Sequence, residues 1–363
     1  MSATRLPCCV LLLTLSSAAS AATFCVSTSN ELVTALAAAE TNNQDDEIRL
    51  RAGTYSAPSG GFRFRNGVIS GGDDADIRIS GNWSVFFGNP CGIQLSLDPF
   101  DTVLDGNFST RVMEITPRAN TAVHVSLLAF LSGNTVGTPT PQAGAGLHVR
   151  ISTSHDATVT IERNAFVGNV AEDFGGGLSA GSGAGFFLIN NLFIANTANC
   201  RHGAASLTDN SALGAFVINN TVAFNNVGDD CPQSNDRGGG VRIGGSANML
   251  FANNIFWGNE NQDLMLQTST ARLVANDIGV LFGSPGAGSG INFNFDPDFS
   301  LQTFLDFRLA ETSPLLDLGI LPSINASWQL PDTDLDGNLR VQGVSVDLGA
   351  YESAQRLLAD GFE

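Results

Sequence analysis

From Asn164 to Ile278 the chain writes short runs of alternating apolar and polar residues, and between them one element keeps returning. It reads Asn, spacer, apolar, two spacers, Asn. Asn164-Ala-Phe166-Val-Gly-Asn169, Asn191-Leu-Phe193-Ile-Ala-Asn196, Asn220-Thr-Val222-Ala-Phe-Asn225 and Asn254-Ile-Phe256-Trp-Gly-Asn259 are its four full copies. Ala129-Phe-Leu131-Ser-Gly-Asn134 reads as a weaker copy ahead of them, and Asn276-Asp-Ile278 as a decaying one behind. The copies lie about 22 to 35 residues apart, a period that means stacked repeats. Each is accompanied by a glycine turn leading into an alternating strand, as in Gly144-Ala-Gly-Leu147, Gly175-Gly-Gly-Leu178, the degenerate Gly203-Ala-Ala and Gly238-Gly-Gly-Val241. A period of two places successive side chains on opposite faces of a strand.

Stacked coils of such units put equivalent residues above one another. Phe166, Phe193, Val222 and Phe256 then form an internal ladder. The Asn residues at the bends form ladders of another kind, their amides bonding the backbone and the Asn one turn away. The alternative use of these Asn residues is sugar binding. Open ends of a coil need covers. Asn30 to Glu40 reads as an amphipathic helix, with Ser29 or Asn30 as N-cap, lying as a lid over a first turn opened by Ile48-Arg-Leu50 and Gly53-Thr-Tyr55. The fold class expected is all-β, a single-stranded right-handed parallel β-helix with an N-terminal capping helix and a C-terminal cap.

Composition narrows the setting. One early Arg5, an apolar run from Cys8 to Leu15 and the small-residue pattern Ala19-Ser20-Ala21 read as a secretory signal peptide over residues 1–21. The apolar run is too short to span a bilayer, and no later stretch could do so. Asp and Glu number 35 against 17 basic residues, all of them Arg, for a net charge of −18. Such a surface repels phosphate and anionic membranes, so nucleic acid is excluded as a partner. Cys25, Cys91, Cys200 and Cys231 remain after the leader, an even number in an exported chain. Cys200 follows Asn196 and Cys231 follows Asn225 in consecutive repeats, and neighbouring coils are separated by about 4.8 Å. That register predicts the pair Cys200–Cys231, and Cys25 and Cys91, which remain near the N-terminal cap, are expected as the second pair. No CxxC, HxxxH or HExxH is present, which argues against zinc.

The C-terminal part carries the most specific motifs. Phe295-Asp-Pro-Asp-Phe299, Phe307-Arg-Leu-Ala-Glu-Thr-Ser-Pro-Leu-Leu-Asp-Leu-Gly319, Thr333-Asp-Leu-Asp-Gly-Asn-Leu-Arg340 and Val346-Asp-Leu-Gly-Ala-Tyr-Glu352 are similar to the choice-of-anchor Q domain. The whole mature chain resembles secreted bacterial β-helix proteins of the pectate-lyase-like superfamily. Leu339 stands where that family usually has Pro, and the 354–363 tail resembles the Asp-Gly-Phe-Glu ending of some secreted proteobacterial proteins. The resemblance implies fold and export, and no particular activity. The organisation expected is leader 1–21, N-terminal cap and first turns 22–120, repeats 121–290, anchor-Q-like turns and cap 291–353, and tail 354–363.

Many such proteins bind or cleave polysaccharides. Polygalacturonases need acid residues in an Asn-Thr-Asp piece, a Gly-His-Gly piece and a Lys, which are absent here. Pectate lyases need an Arg or Lys base and calcium-binding Asp residues, and no matching motif is found. The polar residues that could act together lie in the loops following each Asn: Asp173, Arg201, His202, Asp229, Asp230, Asp236 and Arg237, with Glu172, Glu260 and Asp263 beside them. Acid, base and imidazole on adjacent turns suit a carbohydrate site, while charged residues also belong on exposed loops. Asp332-Thr-Asp334-Leu-Asp336-Gly337 has the opening of a calcium loop, but Gly343 stands at the twelfth position, where an acid is required. Calcium is the only cofactor these residues suggest, with an Asx turn as the alternative. The function expected is that of an exported, monomeric cell-surface, secreted or periplasmic protein, structural, adhesive or glycan-binding. A polysaccharide lyase or glycoside hydrolase with divergent residues is the alternative.

Overall fold

The computed structural model describes residues 21–353 apart from 140, 151–156, 182, 212, 232–235, 246–247, 268–270, 302–305 and 325. The expected leader, Ala21 excepted, and the expected tail lie outside them. Short strands recur in fixed rotation through three long sheets, of ten, eight and eight strands among the described residues, parallel throughout except for Asn89–Gln94, which pairs antiparallel with Ile77–Phe86. One coil illustrates the rule: Ala184–Ile189 lies in sheet A, Leu192–Ile194 in sheet B and Ala205–Asp209 in sheet C. Each of these strands pairs in parallel with its equivalents in the coils before and after, and among the described residues no sheet closes into a barrel.

The inward positions form one continuous core. Phe130, Phe166, Phe193, Val222, Phe256 and Ile278 are in register through sheet B. The first three rings stack at 4.8 and 4.6 Å, which is the strand spacing itself. Here the register departs from the sequence expectation by one residue. Ala129 pairs with Ala165, so Leu128 and Gly133 occupy the places of Asn164 and Asn169, and Phe130 rather than Leu131 joins the ladder. Asn134, taken from sequence as the equivalent of Asn169, instead donates to the Phe108 carbonyl and accepts from Val136 N.

The Asn residues are structural ladders. Asn164, Asn191, Asn220, Asn254, Asn276 and Asn292 form one, each amide nitrogen donating to the next Oδ1 at 2.8–3.2 Å. Asn169, Asn196, Asn225 and Asn259 form the other, which ends on the Asp263 carboxylate at 2.7 Å. Each oxygen also accepts the backbone N–H of the preceding rung, and each nitrogen also caps a carbonyl, as Asn196 does for Phe166. Bends would otherwise leave these backbone groups buried and unpaired.

The helix Ser29–Ala39 is the only α-helix among the described residues. Its N-cap is Thr28, in a capping box with Glu31, and neither Ser29 nor Asn30. It buries Leu32, Ala35, Leu36 and Ala39 against the first strands. Cys25–Cys91 and Cys200–Cys231 are disulfides, the second as the repeat register requires and the first as the pair remaining near the N-terminal cap. No helix among the described residues is long and apolar enough to cross a membrane.

The segment expected as the C-terminal cap takes another course. Phe293 adds a last rung to sheet B, and the chain from Phe299 onward then lies along that sheet's outer face as a strap. Phe299, Phe307, Leu315, Leu335, Leu348 and Tyr351 cover the outward Ala129, Ala165, Leu192, Ile194 and Ile255. Asn190 donates to Thr333 O at 2.6 Å and Asn219 to Asp347 O at 3.2 Å. The far end of the coil is left with Val280, Leu281 and Phe282 exposed.

The anchor-Q-like motif residues build a buried polar knot within the strap. Arg340, 2% exposed, donates to the carbonyls of Ala350, Asp347 and Gly349 and lies 3.8 Å from the Glu352 carboxylate. Asp334 accepts from Asn338 N and Glu352 N. Burial pushes the Glu352 carboxyl up to about 7, against the opposing charge of Arg340, and Asp347 adds to the rise. A raised acid adds stability that is complete below its unfolded value near 4.5 and is lost as pH rises through about 7. Glu352→Gln, neutral throughout, should therefore match the parent at pH 4 and exceed it in stability at pH 8, by up to about 3 kcal/mol. His148 and His202, which burial holds neutral, act in the opposite sense but equally in both proteins, so the difference in Tm between variant and parent isolates Glu352.

Candidate functional site

A cleft of about 470 Å³ runs over the outer face of sheet C. Its floor is set by strand alternation. Leu147, Leu178, Ala205 and Val241 point inward, so their successors His148, Ser179, Ser206 and Arg242 stand in one row across four adjacent strands. Arg150 and Thr208 belong to the parallel row two residues on. The wall comes from the loops: Phe174, Arg201, His202 and Asp236.

His202 holds an unusual corner. Three residues before the register partners Leu147 and Leu178, the chain uses Gly144 and Gly175 with φ of 63° and 66°, and the third coil places His202 there with φ 60°. A Cβ added to Gly175 would lie 2.3 Å from Leu178 O. Left-handed backbone at a side-chain-bearing residue costs of order 1 kcal/mol, and such residues concentrate at functional sites. The His202 imidazole is buried, with Nε2 3.0 Å from Asp236 Oδ1. Asp236 Oδ2 accepts from Gln267 Nε2 at 2.6 Å and faces Arg201 Nη1 at 3.4 Å. Gln267 Oε1 accepts from Arg242 Nε at 2.8 Å, and Arg242 Nη1 donates to Thr208 Oγ1 at 2.8 Å. One connected network thus joins the wall to the floor.

Burial holds the His202 imidazole below its usual range despite Asp236. Burial raises the Asp236 carboxyl, but its bonds to His202 and Gln267 and the charge of Arg201 outweigh that and hold it down. A neutral imidazole beside an ionised carboxylate carries its proton on Nε2, an assignment made from the hydrogen bond. His148 is pushed down to about 3 by burial, helped by Arg111 and Arg150. Nδ1 of both imidazoles is buried without a hydrogen-bond partner.

Of the residues singled out from sequence, Arg201, His202 and Asp236 meet in this cleft. Arg237 instead clamps its own loop, donating to Gly228 O at 2.6 Å and pairing with the exposed Asp229. Asp230 is exposed, and its N–H donates to Asn199 O. Asp173 contributes its backbone oxygen to Arg201 N and does not line the cleft. Glu260 caps Val227 N, and Asp263 ends the Asn ladder. His148, Arg150, Ser179, Ser206, Thr208, Arg242 and Gln267 were missed. All but Gln267 were within reach of the period-two alternation after each glycine turn.

The DxDxDG acids do not converge on a cation. Asp334 is spent on Asn338 and Glu352, Asp336 is bound by Arg308 at 2.6 Å, and the Asp332 carbonyl accepts from Arg340 N. Gly337, with φ 88°, closes a tight turn there, and among the described residues no group of three or more His, Cys, Asp or Glu could hold a metal ion.

No protein-family model matches the chain. A search of curated proteins returns no match.

Proposed function

We propose that the protein is an exported right-handed parallel β-helix of the pectate-lyase-like kind, closed by a choice-of-anchor-Q-like segment, and that it binds an acidic glycan along the outer face of sheet C. The rotation of strands through three parallel sheets supports the β-helix, since parallel crossovers are right-handed almost without exception. The two disulfides fit an oxidising compartment. One observation carries the ligand. In a chain of net charge −18, Arg150, Arg201 and Arg242 line one cleft together with two imidazoles and a single carboxylate. Arginine forks suit the carboxylates of uronic acids, and Ser179, Ser206 and Thr208 offer hydroxyl partners for sugar hydroxyls.

The single carboxylate also ranks the enzymatic readings. Glycoside hydrolysis needs a pair of carboxyls, and Asp236 is the only one among the described residues lining the cleft. A lyase needs cationic groups to neutralise a uronate and a base nearby, and the arginines and imidazoles favour it as the second reading. Binding isotherms on acidic and neutral polysaccharides, run beside assays for unsaturated and reducing-end products, separate the cases. Binding to uronate chains without product is expected. Arg242→Ala should weaken it by about tenfold or more, the worth of one charge-assisted hydrogen bond, with global stability nearly unchanged. Equal binding to neutral chains, or none to any, sinks the proposal. Steady release of unsaturated product moves the conclusion to the lyase.

A further inference from the structure

We propose that the Ala21–Ala22 bond is a processing site and that the α-ammonium released on Ala22 is received by Asp45 and the buried Asp46, locking the first strand onto the coil. Ala21 is exposed, and the first strand of sheet A begins at Ala22. Ala22 N donates to the Asp45 carbonyl at 2.8 Å, and Ala22 stands in register with Asp46. Both acids and Ala21 line one cavity of about 380 Å³.

Asp46 is the unexplained residue. It is 4% exposed, its Oδ1 accepts from Asn42 Nδ2 at 2.8 Å, and its Oδ2 is buried with no partner. A buried carboxylate oxygen left unpaired is destabilising. Its acidic neighbours are already engaged. Asp45 Oδ1 accepts from Asp76 N, Asp76 Oδ1 from Ala122 N, and Asp73 Oδ2 from Asn43 N. The cations at hand point elsewhere, Arg78 to His124 at 2.9 Å and Arg49 to Glu47 at 2.7 Å. Burial raises the Asp46 carboxyl, and Asp73 and Asp45 raise it further, as expected where a positive partner is missing.

Hydrolysis supplies that partner. Water adds across the amide, the Ala21 carbonyl leaves as a carboxylate, and the Ala22 nitrogen becomes an ammonium with three donors and a full charge. One donor keeps the Asp45 carbonyl, and the others and the charge become available to the cluster. Before cleavage the same nitrogen offers one neutral donor, already used.

The chain contains no lysine, so after processing this α-amine is its only primary amine and amine chemistry reads it alone. Intact mass of the exported protein is expected to place the terminus at Ala22. Competitive acetylation as a function of pH is expected to give an ammonium titrating about one unit above the ordinary value near 8, and Asp46→Asn should return it to that value. Should Asp46→Asn fail to fold, a chain carrying Gly-Ser ahead of Ala22 keeps Asp46 and displaces the ammonium. Its amine should titrate near the ordinary value, and it should melt below the processed protein. A terminus elsewhere overturns the proposal. So does an ammonium at its ordinary value, or one that neither change moves.

Discussion

Asn220→Ala is expected to lower global stability by about 3–5 kcal/mol, measured as the shift in denaturant midpoint at constant slope. Asn220 is 1% exposed. Its Oδ1 accepts from Asn191 N and Nδ2 at 2.9 and 3.0 Å, and its Nδ2 donates to Leu188 O, Ile218 O and Asn254 Oδ1. Truncation strands at least two buried donors and a carbonyl, each costing about 1–3 kcal/mol when unpaired. Relaxation and entering water recover part of this, hence the lower range. Asn292, at the half-exposed end of the same ladder, should cost about 1 kcal/mol. A sugar-binding role for these residues would show the reverse, with little change in stability and a large loss of binding.

Removing Cys200–Cys231 as a double Ser variant is expected to cost about 3–4 kcal/mol by the chain-entropy model for a loop of this length. It should also abolish glycan binding. Cys200 immediately precedes Arg201 and His202, and Cys231 lies five residues before Asp236, so one covalent bond ties the two sides of the His202–Asp236 contact. Removing Cys25–Cys91 should cost a similar amount, since it closes a longer loop of the same chain, yet leave binding intact in the folded fraction. Equal binding by both double variants would show that the cleft does not depend on the loop that carries Asp236.

Much of the scaffold is legible because it repeats. A buried Asn at a fixed distance from a buried Phe has one economical meaning, and four copies fix the register that in turn fixes Cys200 against Cys231. The one-residue slip at Ala129 arose because Gly133 stands in the ladder position while Asn134, next door, imitates it. There the backbone N–H of Gly133 donates to Asn169 Oδ1 at 2.8 Å, and Gly133 has no amide of its own to carry the ladder further. The loop cluster was half legible. Equal position after each Asn brings Arg201 and His202 beside Asp236, but the loops differ in length, and Arg237 turns back on Asp229. His202 carried a stronger signal, a side chain in a corner that the neighbouring coils give to glycine. The strap was not legible as a strap. Periodicity describes each coil locally and says nothing of what lies across a sheet face. The outward Ala129, Ala165, Leu192 and Ile194 were the available hint, because apolar residues on both faces of a strand mean that both are covered.

Crystals soaked with a uronate oligosaccharide test the central claim most directly. The account predicts sugar density along the outer face of sheet C, with carboxylates against Arg242 and Arg201 and hydroxyls near Ser179 and Ser206. Density confined to sheet A, the strap or the exposed end of the coil, with that cleft empty at saturating ligand, would contradict it.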